Sequence, residues 1–193
     1  MKITHPEVKG TWREVANAAR TTIGKKAGDK EPTGSWKKRM LLAEHSPIRK
    51  LLISWKWLNI PYWVSVHFVR HKFGIEHWVR TQRTDRTKTN RNTLPQDNPV
   101  EHEVEANVQA IINISRKRLC RQASPETRAA WWMAIARLGY TEPEIAQACV
   151  PDCIYRGWCY EYESCGYYLS SGFKEQLNIY RKGINKWEEF VCK

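Results

Sequence analysis

The sequence predicts a single-domain protein of the α/β class, and three observations carry that expectation. An Ile-, Leu- and Trp-rich run at residues 48–60 reads as a strand, with Lys50, Lys56 and Asn59 as polar interruptions. A helical period at residues 104–121 sets Val108, Ile112 and Leu119 on one face. Ser124-Pro125-Glu126 marks a further helix start, an N-cap serine followed by a proline whose missing N–H costs nothing there; that helix runs to Gly139. With 193 residues, 41% of them hydrophobic, the chain suffices for a sizeable core of its own. No internal repeat or second domain boundary is visible.

The remaining elements follow in order. Residues 11–23 place Trp12, Val15, Ala18, Ala19 and Thr22 at helical spacing behind a Gly10-Thr11 start that caps. Residues 24–34, rich in Lys, Gly, Asp and Pro, bury too little to order themselves and read as a loop. Helical pattern resumes at 36–44 and ends at His45-Ser46-Pro47. Pro61 opens a helix over 61–71, which brings His67, Arg70 and His71 to one side because they lie three and four residues apart. The polar stretch 80–98 reads as a loop, and Asp97-Asn98-Pro99 as the start of the helix that 104–121 sustains. Thr141 and Glu144 have capping-box spacing for a short helix to Ala148. A Cys- and Tyr-rich loop at 149–171 leads to a C-terminal helix, amphipathic over 173–190.

A net charge of +12 favours an anionic partner, whether nucleotide, coenzyme, nucleic acid or acidic membrane. Ten Trp suit core packing, ring stacking or interface anchoring. No apolar run reaches the roughly 18 residues of a membrane span, and the N-terminus lacks the apolar core of a signal peptide, so a soluble cytoplasmic protein with no membrane partner is expected. In that compartment the six cysteines would be reduced or metal-bound. Cys149, Cys153, Cys159 and Cys165 lie close enough in sequence to ligate tetrahedral zinc, but without the paired CxxC knuckles of a strong zinc motif; the expectation is no metal.

The densest chemistry lies at 67–86, where His67, His71 and His77 alternate with Arg70, Lys72, Arg80, Arg83 and Arg86. These nitrogen donors suit a phosphate and a polar ring. Glu44-His45, then the strand, then a helix ending in Arg70-His71-Lys72 resembles the flavin-dependent thymidylate synthases, whose signature runs RHRxxSxNExSxR after an upstream EH. Asn107-Val108-Gln109, Asn113 and Arg118-Leu119-Cys120-Arg121-Gln122-Ala123-Ser124-Pro125-Glu126-Thr127-Arg128 is similar to that family's second conserved region, an Asn-bearing helix followed by RLCxxAxxExR. Ala19-Arg20-Thr21-Thr22, Pro151-Asp152-Cys153 and residues 157–161 are more weakly similar. Lys72 stands where the signature has its second Arg and lacks the planar fork. Residues 73–79 do not carry the signature's Ser, Asn and Glu, and Thr81 and Arg83 align with its closing SxR after one inserted residue.

The resemblance implies a central antiparallel or mixed sheet with long helices, FAD as cofactor, and methylation of dUMP to dTMP with methylenetetrahydrofolate and NAD(P)H as co-substrates. It also implies a homotetramer with active sites at subunit interfaces. Carried over by position, Arg118 would stabilise the anionic pyrimidine, and Arg70 and Arg83, with His67 and Thr81, would hold the nucleotide. His45, His71, Lys72, Asn107, Gln109 and Asn113 would touch the flavin, Glu76 would stand in for the missing Glu, and Arg86 or Arg91 for a further phosphate-binding Arg. Other readings remain open at the level of residues. Arg118 can instead pair with Glu126 or Glu103, His45 can satisfy helix-end carbonyls, Asn107 and Asn113 can be ordinary helix positions, and Cys120 can be a core thiol. Another pyrimidine nucleotide as substrate, or a basic nucleic-acid binder with stacking aromatics, are the alternative functions.

Overall fold

The computed structural model describes residues 1–182. In chain order the elements are β1 (Lys2–Ile3), β2 (Glu7–Lys9), α1 (Trp12–Thr21), α2 (Gly34–Leu42), β3 (Leu52–Pro61), α3 (Tyr62–Val69), β4 (Ile75–Val79), α4 (Thr84–Thr87), β5 (Pro99–Asn107), α5 (Val108–Arg118), α6 (Pro125–Leu138), α7 (Pro143–Ala148), α8 (Asp152–Arg156) and α9 (Ser171–Arg181). The protein is thus a mixed α/β fold around an antiparallel sheet of order β1-β3-β5-β4, with β2 also paired to β3.

The two central strands alternate strictly. Ile53, Trp55 and Trp57 of β3 stand beside Ala106, Val104 and His102 of β5, and all six point into the core. The other face keeps Lys56 and Glu103 as an exposed ion pair at 2.8 Å. Helices α3 and α6 cover the inward face through aromatic contacts. Trp57 stacks on Phe68 of α3 with centroids 4.7 Å apart, and Trp131 of α6 meets Trp55 edge-on at 5.7 Å. Two of these buried indoles find acceptors: Trp57 Nε1 donates to the Ala130 carbonyl and Trp131 Nε1 to Ser115 Oγ. The end of β3 bulges between Trp57 and Ile60, where Asn59 takes a left-handed φ of 57° and turns the chain towards α3.

Several boundaries differ from the sequence expectation. Residues 46–50 form a 3-10 turn with Pro47 in its first turn, so the strand expected from residue 48 begins at Leu52. Pro61 ends β3 and caps α3 rather than lying inside the helix. The helix expected to start at Asp97-Asn98-Pro99 is strand β5, because Val100, His102, Val104 and Ala106 bury with period two; helix begins only after Asn107. Residues 75–79, given no element from sequence, add strand β4. Thr141 donates its hydroxyl to the Leu138 carbonyl instead of forming a capping box, and Glu142 is the N-cap of α7. The 149–171 loop contains α8 and a 3-10 turn at Tyr167–Leu169. The C-terminal helix starts at Ser171, and its expected continuation over residues 183–190 lies outside the described residues. The Thr11 capping box with Glu14 forms as expected.

Candidate active site

Two helix ends build the site. Helix α3 stops at Arg70, and α5 runs back across the sheet to bring Arg118, in its last turn, against it. Arg118 Nε donates to His71 Nε2 at 2.9 Å, and Nη2 donates to the His67 carbonyl at 2.6 Å. Neither carboxylate named as an alternative partner takes it; Glu103 pairs with Lys56. Burial, and then the nearby Arg70 charge, lower the pKa of Arg118. Among the described residues no carboxylate forms an ion pair with Arg118 or Arg70.

The histidines around it are held neutral. His71 is pushed down to about 4, first by burial and then by Arg118. Since its Nε2 accepts from Arg118, its proton belongs on Nδ1. His77 Nε2 lies 2.9 Å from the His71 carbonyl and must donate to it, which leaves Nδ1 to accept from His102 Nε2 at 3.0 Å. His102 is fully buried, pushed down to about 3 by burial and then by His77, and its Nδ1 has no partner among the described residues. His67 Nδ1 is 2.9 Å from Thr127 Oγ1, which itself accepts from Ser124 Oγ. Thr127 thus ties the His67 ring of α3 to the N-terminus of α6.

The remaining sequence-predicted residues divide. Gln109 and Asn113 join a network on another face of α5: Gln109 Nε2 donates to Glu44 at 2.5 Å and to Asn113 Oδ1 at 3.3 Å, while Arg116 pairs with Glu44 and donates to Asn113 Oδ1 at 3.1 Å. Glu44 adopts a left-handed φ of 51° there, next to exposed His45. Gln109 Oε1 and Arg116 Nε are buried and have no partner among the described residues. Asn107 caps α5 by accepting from the Ala110 N–H at 2.9 Å. It also packs on Gly74, where an added Cβ would come within 2.4 Å of its Nδ2. Eleven helical steps, about 16 Å, separate the backbones of Asn107 and Arg118. Lys72 is exposed directly after His71. Thr81 and Arg83 stand apart on the loop, with Arg83 forked onto Asp85 at 2.9–3.0 Å. Glu76 points to the face of β4 opposite His77, away from Arg118.

His102, Thr127 and Arg116 were not singled out as site residues from the sequence, whereas His77 was named there among the clustered nitrogen donors. The period-two burial of residues 100–106 was the available signal for an inward-facing His102. His77 needed β4, and Thr127 needed the packing of α6 on α3.

No protein-family model matches the sequence, and no curated protein is similar to it. Solved structures are similar in fold: the architecture is that of the flavin-dependent thymidylate synthases. Flavin-dependent thymidylate synthase ThyX from Helicobacter pylori, complexed with FAD and dUMP, superposes with a TM-score of 0.63 at 10% identity, covering 78% of this chain and 100% of that one. A second structure of the same enzyme with FAD and dUMP gives 0.64 at 10% identity over 77% and 99%. The UMP/dUMP methylase PolB from Streptomyces cacaoi, bound with 5-Br dUMP, gives 0.59 at 13% identity over 76% and 94%.

Proposed function

We propose that the protein methylates C5 of a pyrimidine nucleotide, dUMP to dTMP, as a flavin-dependent enzyme. The observation that carries this reading is Arg118: a half-buried guanidinium fixed by His71 and the His67 carbonyl, beside Arg70, with no carboxylate among the described residues paired to it. Uracil is a weak carbon nucleophile, and a cation held where its ring gathers negative charge lowers the barrier by several kcal/mol in a water-poor site. Arg118 fits that role because its position is set by the fold before any ligand binds. Arg70, exposed beside it, and the half-buried His67 ring suit the nucleotide phosphate and ring edge. Arg83 would join them after exchanging its exposed Asp85 partner, a small cost at the surface.

FAD fits the Glu44 network on the ground of its orphaned atoms: the bare Gln109 Oε1 and Arg116 Nε call for polar partners that the described residues do not supply. His45, Lys72, Gln109 and Asn113 would hold it there, with Asn107 shaping the adjacent Gly74 turn; Glu76 is left out of this assignment because it faces away. Reduced flavin would supply the hydride, and methylenetetrahydrofolate the carbon. A homotetramer with sites at subunit contacts belongs to the same reading, since a chain of this size encloses three such ligands poorly. Light scattering tests it, and a monomer at micromolar protein with FAD present would argue against it. UMP is the second substrate reading, favoured by the likeness to a UMP/dUMP methylase.

The reading as a flavoprotein is tested by titrating the purified protein with FAD and following visible absorbance and flavin fluorescence. Saturable binding is expected, with dUMP perturbing the bound-flavin spectrum. A protein that leaves FAD free and instead binds nucleic acid with steeply salt-dependent affinity would refute it.

A further inference from the structure

A cleft of about 800 Å³ opens between α6, α8 and the irregular segment 157–166, and none of the residues that hold Arg118 lines it. That volume falls within the roughly 300–1,000 Å³ of small-molecule pockets. Helix α6 supplies one wall. Arg128, Trp132 and Ala136 follow one another at four-residue spacing and so share a face, with Ala129 three residues before the indole. Because the neighbours at 129 and 136 are alanines, nothing large on the helix covers Trp132, and its side chain stands 64% exposed at the cleft. An indole left open on a cleft wall is a stacking surface for another flat ring.

The charges define the other half of a ligand. Arg121, Arg128, Asp152 and Glu161 are the charged side chains that line the cleft among the described residues. Both carboxylates are engaged by cations outside the lining, Asp152 by Arg156 at 3.5 Å and Glu161 by Lys117 at 3.3 Å. Neither lining arginine forms an ion pair among the described residues. The guanidinium of Arg121 sits over the Tyr167 ring, 4.1 Å from its centroid, which fixes its position without using its N–H donors. Arg128 Nη1 donates to the Arg121 carbonyl at 3.3 Å, tying the second arginine to the backbone of the first. Cys120, Cys149 and Cys153, which also line the cleft, are thiols whose pKa burial raises, the latter two to about 12 and about 11, so they add no opposing charge at neutral pH.

We propose that this cleft is a further ligand site, for a small molecule in which a flat aromatic ring carries an anionic group, the ring lying on Trp132 and the anion on Arg121 and Arg128. One helical turn, about 5 Å, separates Arg128 from Trp132, which matches the reach from a ring to an attached anion. Phosphate and carboxylate both fit the guanidinium fork, so a nucleotide and an aromatic carboxylate are the two sources of this chemistry. The site is separate from the pyrimidine chemistry at Arg118 and from the flavin.

The test is isothermal titration calorimetry of the full-length protein, without FAD, against two probes, adenosine 5′-monophosphate and 2-naphthoate. Saturable binding of at least one of them is expected; the nucleotide alone would assign the anion as phosphate, and the naphthoate alone as carboxylate. Trp132→Ala and Arg121→Gln should each weaken that binding at least about tenfold. Ala136→Leu should abolish it by filling the cleft, and Arg118→Ala should leave it unchanged. If neither probe binds wild type, the site is overturned. It is overturned equally if binding survives Trp132→Ala and Arg121→Gln undiminished, or is lost in Arg118→Ala. Should Arg121→Gln not fold, Trp132→Ala, which truncates an exposed side chain, decides.

Discussion

Arg118 joins a chemical requirement to a visible geometry. Its two hydrogen bonds orient the guanidinium without neutralising it, which is what stabilising a ring anion requires. Arg118→Ala is expected to keep the fold and flavin binding while lowering nucleotide-dependent turnover at least about a hundredfold. Arg118→Lys should recover little of this, since an ammonium cannot donate in one plane to His71 and the His67 carbonyl together. Arg70→Ala should raise KM more than it lowers kcat, as a phosphate contact is made in ground and transition states alike. Equal turnover in wild type and Arg118→Ala, followed by flavin oxidation, would reduce Arg118 to a structural donor. The neutral histidines give a pH prediction. An unfolded histidine titrates near 6.5, whereas His71 and His102 fold with values of about 4 and 3. The unfolded chain then takes up protons first, so stability is full above about pH 6.5 and falls as pH drops towards 4. The urea midpoint should therefore be lower at about pH 5 than at about pH 7, with His102→Leu flattening the difference; an unchanged midpoint would contradict the buried neutral pair. Arg70, His71 and Arg118 were legible from their motifs, whereas His102 was hidden by reading its strand as helix.

At the scale of the element, the junction of β5 and α5 decides how the sequence is read. Val104 and Val108 fit both a strand end and a helix start, and Asn107 is the switch: its side chain caps α5 while its N–H bonds the Gly74 carbonyl at 2.8 Å. A helical window slid across 104–121 absorbs the last residues of the strand, because apolar residues four apart satisfy the helical period wherever the backbone changes state. The strong punctuation elsewhere, Thr11 with Glu14 and Ser124 with Pro125, was legible because the capping residues are local. The five-residue β4 was not, since its pairing with β5 is set from outside the segment. Asn107→Ala should cost about 1 kcal/mol of stability in urea unfolding of the flavin-free protein, the usual value of a helix N-cap. A loss seen only with FAD bound would make Asn107 a ligand contact rather than a cap.

For the molecule as a whole, the neighbours establish the fold, while this chain's own residues carry the reading of its function. The net charge of +12 and the exposed Phe73, Trp78 and Trp132, at 94%, 55% and 64% exposure, fit a surface that meets an anion and other apolar surface. Among the described residues no helix is long and apolar enough to cross a membrane. The divergent 73–79 segment contains β4, from which His77 props the backbone of His71, so the place of greatest departure from the signature still supports Arg118. The most direct test of the central claim is tritium release from dUMP labelled at C5, with FAD, methylenetetrahydrofolate and NADPH supplied. Release matched by dTMP formation is the predicted result. FAD-loaded protein that releases no tritium from labelled dUMP or labelled UMP would contradict the account.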